Sequence, residues 1–187
     1  MSGNGLHFLG GVGFFSSYNI IFSPTFRETT FDDEMIGLVD GNNFDVSCER
    51  VFDPSLEGKS VAVMSNNDGC CISRSYEFKA LNIPMGTPFF QLKPLIPKHG
   101  LILKSSNYEL YGDLSRRVIA TLSTFTPAWS SIPSTRHLST SRCQPGATFE
   151  FGRKVRQTVL QWVGIPCGVG FARSKTIAKI ANLWLWN

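Results

Sequence analysis

The stretch Ile36-Gly-Leu-Val-Asp-Gly-Asn-Asn-Phe-Asp-Val-Ser-Cys-Glu49 constrains this chain more than any other. Ile36 to Val39 is an apolar run of strand length. Asp40 follows, then a Gly41-Asn42-Asn43 turn cluster, then Phe44, Ser47, Cys48 and Val51 at helical spacing. The pattern predicts strand, tight turn and helix, with a carboxylate at the carboxyl end of the strand. Such a carboxylate, beside backbone carbonyls, suits a hard Mg²⁺ ion. The free N–H groups at a helix start suit phosphate oxygens. A plainer alternative is that Asp40 caps the helix, and these residues by themselves leave both readings open.

With 187 residues the chain has room for one domain with a proper core, or one and a half. Its net charge of +4 and pI near 8.9 lean mildly toward an anionic partner such as nucleic acid. The cysteines Cys48, Cys70, Cys71, Cys143 and Cys167 form no Cys-x-x-Cys pair, and His7, His99 and His137 are scattered. The sequence therefore has neither a zinc pattern nor a disulfide framework and reads as a reduced, cytoplasmic protein. Leu6 to Phe15 is apolar but too short to span a bilayer, and it lacks a basic flank and a cleavage site. No membrane association is expected. Met35 reads as the natural start, and 1–34 as an extension without a fold of its own.

From 52 to 127 the chain reads as an orderly α/β unit. Ser60 to Ser65 is a β-rich run, Asn66-Asn-Asp-Gly69 a turn, and Cys70 to Arg74 the return strand of a hairpin. Ser75 can cap a helix starting at Tyr76, which puts Tyr76 and Lys79 on one face, and Pro84 ends it. Another helix is expected near Thr87-Pro88, a third strand at Leu101 to Lys104, and a long helix from Asn107 to Ser123. Taken alone, Tyr76 and Lys79 read as a solvated helix face, and Arg173, Lys175 and Lys179 as a basic amphipathic helix.

Four segments carry a family resemblance: D-G-N-N-F-D-V-S-C-E-R-V-F at 40–52, S-N-N-D-G-C at 65–70, K-A-L-N-I-P-M-G-T-P at 79–88 and S-S-N-Y-E-L-Y-G-D-L-S-R-R-V at 105–118. Together they resemble the UmuC branch of the Y-family translesion DNA polymerases. The likeness runs from Met35 to Pro127 and resumes at Phe151, through Gly164-Ile-Pro, to Asn182. It implies an α/β (α+β) fold: a ferredoxin-like polymerase palm with an inserted small fingers domain, the thumb and little finger being missing. The expected layout is palm at 35–65, fingers at 66–107, a palm helix at 108–127, an aberrant segment at 128–149 and a truncated C-terminal part of the palm at 150–187.

The resemblance also implies chemistry. In such polymerases two Mg²⁺ ions clamp the attacking oxygen and the leaving pyrophosphate. Asp40 matches the first metal-binding carboxylate and the Gly41 carbonyl the backbone ligand beside it. Phe44 matches a ring that packs under the incoming sugar. The next position usually holds a Tyr or Phe that excludes ribonucleotides, and here it is Asp45. Tyr76 and Lys79 match the fingers pair that reaches the dNTP triphosphate, Lys179 matches a palm lysine with the same role, and Arg173 and Lys175 fall to the DNA. Implied partners are primer-template or damaged DNA, a UmuD-type dimer, a RecA filament and the sliding clamp, in a bacterial SOS response. The run Gly164 to Thr176 superficially suggests a P-loop, but Ser174 stands where that motif needs Gly before the Lys.

The main departure is at 128–149. The family places its second and third catalytic carboxylates here, in a Tyr-Ser-Ile-Asp-Glu-Ala-Phe strand. This chain has Ala128-Trp-Ser-Ser-Ile-Pro-Ser-Thr-Arg-His-Leu-Ser-Thr140 and no Asp or Glu from 114 to 149. That composition is poor strand material, and Pro133 would remove a ladder bond. Codon arithmetic offers an explanation. If each shifted codon takes the last base of one residue and the first two of the next, 129–140 permits V-E-F-Y-S-I-D-E-A-F-I-D, the missing strand. Thr135 then permits Asp and Arg136 permits Glu. One insertion or deletion before Ala128 and another near Glu150 would produce this. The alternatives are a diverged loop, a residual DNA-binding module, or a product without biochemical function.

Overall fold

The structure is a computed structural model of the chain and describes residues 7–9, 12–15, 20–22, 35–65, 69–125, 129–132, 136–141 and 148–183. In chain order the elements are β1 (His7–Leu9), β2 (Val12–Phe15), β3 (Ile20–Phe22), β4 (Met35–Gly41), α1 (Phe44–Phe52), β5 (Val61–Met64), β6 (Cys71–Arg74), α2 (Tyr76–Lys79), α3 (Phe89–Leu92), α4 (Leu95–His99), β7 (Ile102–Ser105), α5 (Tyr108–Ser123), β8 (Trp129–Ile132), β9 (Arg136–Ser141), α6 (Thr148–Val163), β10 (Cys167–Ala172) and α7 (Lys175–Leu183). They form two compact units, Met1–Gly41 with Arg116–Asn187, and Asn42–Ser115. Among the described residues no helix is long and apolar enough to cross a membrane.

The first unit is built on a seven-stranded sheet of order β1-β2-β3-β10-β4-β9-β8. β4 runs antiparallel to β10 on one side and to β9 on the other. Strands paired on both edges are the ones a chain encodes as apolar runs, and Leu38 and Val39 are almost fully buried. Two glycines allow the close packing. A Cβ at Gly37 would stand 3.0 Å from the ring of Phe171, its register partner on β10. A Cβ at Gly170 would stand 2.8 Å from the Ala178 carbonyl oxygen of α7. Asn182, also on α7, donates to the carbonyls of Leu38 on β4 (3.2 Å) and Gly168 on β10 (3.3 Å). α6 buries Val155 and Val159 at a four-residue step, and the Phe151 ring lies between those of Phe125 and Phe171.

The second unit has a three-stranded sheet of order β6-β5-β7, with β5 antiparallel to β6 and parallel to β7. All four residues of β5 are buried, because both of its faces are covered. One face carries the cluster Ala62, Met64, Cys71, Phe78, Leu92 and Leu101. α1 packs on β5 and β6 and buries Val46 and Cys48 completely. Ser75 joins the sheet to α2. Its hydroxyl accepts from Phe78 N–H (3.1 Å) and Val61 N–H (3.1 Å) and donates to the Lys59 carbonyl (3.1 Å).

Two expectations change. Residues 7–9, 12–15 and 20–22 are strands that extend the sheet beyond β10, with β3 parallel to it; the rest of 1–34 lies outside the described residues. Short apolar runs can satisfy the open edge of β10. Within 128–149, Trp129–Ile132 and Arg136–Ser141 are strands despite their Ser- and Thr-rich composition. The free edge of β4 is the template, and context overrides strand propensity. Ala128, Pro133 and Thr135 lie outside the described residues, as do the turn residues 66–68.

Two substitutions test this packing. Gly170→Ala, forced against main chain, should cost about 1–3 kcal/mol. Ser75→Ala, which strands two buried N–H groups, should cost about 1–3 kcal/mol. Urea unfolding curves of both variants check the values, and wild-type midpoints would refute the packing described.

Candidate functional site

In the first unit Asp40 is the penultimate residue of β4 and only 5% exposed. Its register partners are Gly168 on β10 and Arg136 on β9. Gly41, half-buried, pairs with Cys167. The Cys167 thiol is pushed up to about 12, mainly by burial; the Asp40 carboxylate adds to the rise and the Arg156 guanidinium opposes it. The charge of Asp40 is thus felt on the neighbouring strand. Asp40 does not occupy the cap of α1: that position belongs to Asn43.

Three basic residues singled out in the sequence lie at the last helix of this unit. Arg173 follows β10, Lys175 opens α7, and Lys179 stands one turn further on; all three are exposed. The opposite side of α7 buries Ala178, Ala181 and Asn182 against the sheet. Ser174 caps this helix by accepting from Ile177 N–H (3.3 Å). Gly168 and Gly170 lie inside β10, so the glycine-rich run is extended strand rather than a loop wrapped around phosphate.

In the second unit Phe44 is buried and Asp45 half-buried on the first turn of α1. Burial, with the Glu49 carboxylate one turn away, pushes the Asp45 carboxyl up to about 6. Glu49 in turn accepts from the Tyr111 hydroxyl at 2.7 Å. Burial and that bond hold the hydroxyl above its ordinary range. Tyr76 is 49% exposed, and the Lys79 ammonium lies 5.1 Å from its ring centroid. Lys79 Nζ also donates to Asn43 Oδ1 at 2.6 Å. Burial, and secondarily Arg74, hold Lys79 below its usual value.

Sequence reasoning missed three residues that hold these groups. Asn43 was legible only as a turn residue. Arg50 ties α1 to α2 by pairing with Glu77 (2.9 Å), and it also meets Glu57 (3.4 Å). Asn182 lay inside a recognised motif, but its two carbonyl partners had no local signature. Among the described residues no three His, Cys, Asp or Glu side chains gather as a metal site would require.

Comparison with known proteins fits this geometry. The model of the impB/mucB/samB family matches residues 39–182. Protein UmuC of Salmonella typhimurium is 44% identical over 151 residues, covering 79% of this chain and 36% of that protein. Protein ImpB of the same species is 40% identical, with 79% and 35% covered. The chain thus spans little more than a third of the length of these relatives. Among solved structures, DinB from Sulfolobus solfataricus shares the fold with a TM-score of 0.71 at 24% identity, over 80% of this chain and 45% of that one. A Dbh ternary complex superposes at 0.72 with 22% identity, over 80% of this chain and 45% of that one. The family match begins inside β4 and ends within α7, so it takes in Asp40, both lysines of α7 and the whole second unit. By these matches the chain belongs to the impB/mucB/samB family, the UmuC-type branch of the Y-family DNA polymerases.

Proposed function

We propose that this chain is the palm-and-fingers part of a UmuC-type translesion DNA polymerase, and that as it stands it does not carry out nucleotidyl transfer. The layout kept is palm at 35–65, 108–127 and 150–187, and fingers at 66–107. One observation carries the loss of activity: Arg136 is in register with Asp40 on the neighbouring strand. Two Mg²⁺ ions repel each other and are held close only by several carboxylates. Asp40 and the Gly41 carbonyl supply one carboxylate and one neutral oxygen, and the residue that β9 pairs with Asp40 is Arg136 rather than an acid. This donor set does not fit a two-metal centre.

The shifted reading accounts for the substitution. It turns Thr135 and Arg136 into the expected Asp-Glu pair. The remaining roles follow the family. Phe44 lies under the sugar, Tyr76, Lys79 and Lys179 meet the triphosphate, and Arg173 and Lys175 meet the DNA backbone. Asp45 is too small to block a 2′-hydroxyl, and at neutral pH it adds negative charge near the phosphates. The UmuD-type dimer, the RecA filament and the sliding clamp belong to the same proposal as partners. The exposed cations Arg173, Lys175 and Lys179 favour a second reading, residual binding to primer-template DNA.

Primer extension by this chain should give no template-directed incorporation above a protein-free control, and any such product sinks the proposal. A variant whose residues 129–140 read V-E-F-Y-S-I-D-E-A-F-I-D should gain Mg²⁺-dependent dNTP binding, read by calorimetry. Fresh reads of codons 120–155 in the source DNA decide whether the frame change is real. If the second reading holds, primer-template affinity should fall with salt with a log–log slope no steeper than about −3, one step per cation.

The raised carboxyl of Asp45 gives a pH signature. Its pKa rises from 3.8 unfolded to about 6 folded, so the native state resists the charged form. It therefore costs the native state nothing in acid, and a penalty sets in as pH rises through about 4 to 6. Asp45→Asn should stabilise the chain by about 1 kcal/mol above that window, after discounting for partial exposure, and by nothing below it. Thermal melts at pH 4 and pH 8 check the difference.

A further inference from the structure

We infer that Asn43 is a positioning residue whose amide oxygen holds the Lys79 ammonium in place for the phosphate chain of a nucleotide. The inference rests on the reading of Lys79 as a triphosphate-binding side chain. Asn at a helix N-cap ordinarily turns its side chain back onto the helix N–H groups. Asn43 makes no such bond. Its backbone is left-handed, φ 46° and ψ 47°, a conformation that Asn tolerates better than most residues. The side chain is thereby released from capping and receives Lys79 Nζ at 2.6 Å, although 36 residues separate the two. Asn43 itself is only 8% exposed, so the acceptor is held in the fold.

The chemistry of the pair fits positioning rather than neutralisation. A lysine stem is flexible and loses much rotamer freedom when its head is fixed. Here the head meets the Asn43 oxygen and lies over the Tyr76 ring, 5.1 Å from its centroid. Both of these partners are uncharged, so neither of them neutralises the ammonium. A carboxylate at position 43 would hold the lysine more firmly and cancel that charge. The Arg50–Glu77 pair ties α2 to α1.

The test uses the full chain and three variants. Asn43→Gly removes the amide while accepting the left-handed backbone. Asn43→Asp keeps the acceptor and adds charge. Lys79→Met removes the ammonium. Acylation of Lys79 at pH 8 is followed site by site by mass spectrometry, and dATP binding without metal is measured at low salt. Asn43→Gly should speed Lys79 acylation about threefold and weaken dATP binding by a similar factor. Asn43→Asp should slow acylation below wild type and weaken binding further. An unchanged acylation rate in Asn43→Gly, with the far-ultraviolet dichroism of the wild type, overturns the positioning role. If that rate changes but Lys79→Met binds dATP as wild type does, or wild type binds none, the link stands and the triphosphate reading falls.

Discussion

The pairing of β4 on both of its edges is the constraint on which the first unit depends. Every residue from Ile36 to Asp40 has a register partner on β10 and another on β9. A strand in that position has no freedom to slip, because a one-residue shift would turn Leu38 and Asp40 to the other face. The place of Asp40 is therefore set by main-chain bonds before any side chain is considered. α7 is fixed to the same strand. Gly170 lets its backbone approach, and the Asn182 amide spans the carbonyls of Leu38 and Gly168.

The second unit solves its joints differently, with side chains that bond to main chain or to each other. Ser75 serves three backbone groups at once. Arg50 ties α1 to α2, and Tyr111 reaches Glu49 from α5 across a separation of 62 residues. Each of these groups is at least partly withdrawn from water, which makes an unpaired partner expensive. The same withdrawal raises the carboxyl of Asp45 and lowers the ammonium of Lys79, so the electrostatic character of the site follows from how tightly its helices are seated.

Much of this was legible in the sequence wherever the signal was local. The strand–turn–helix at 36–52, the hairpin into Ser75, the long helix from 107 and the strand at 167–171 all have their period or punctuation within a dozen residues. β8 and β9 were not legible, because their composition argues against strand and the deciding factor is the edge of β4, about a hundred residues earlier. The links that shape the candidate site were hidden for the same reason. Asn43 meets Lys79 over 36 residues and Asn182 meets Leu38 over 144. Asn at either position has several possible uses, and only the fold selects one. The lack of any Asp or Glu from 114 to 149 is the opposite case: it is plain in the letters and nearly invisible in the ladder.

Main-chain ladders are indifferent to the identity of the side chains they carry, and Arg136–Ser141 takes its place between β4 and β8 with letters unlike those of a catalytic strand. A change of frame confined to a short strand can therefore erase chemistry while the architecture, and every likeness that reads architecture, persists. Under the proposed change of frame, shape and competence decay on separate clocks, and shape is the slower one.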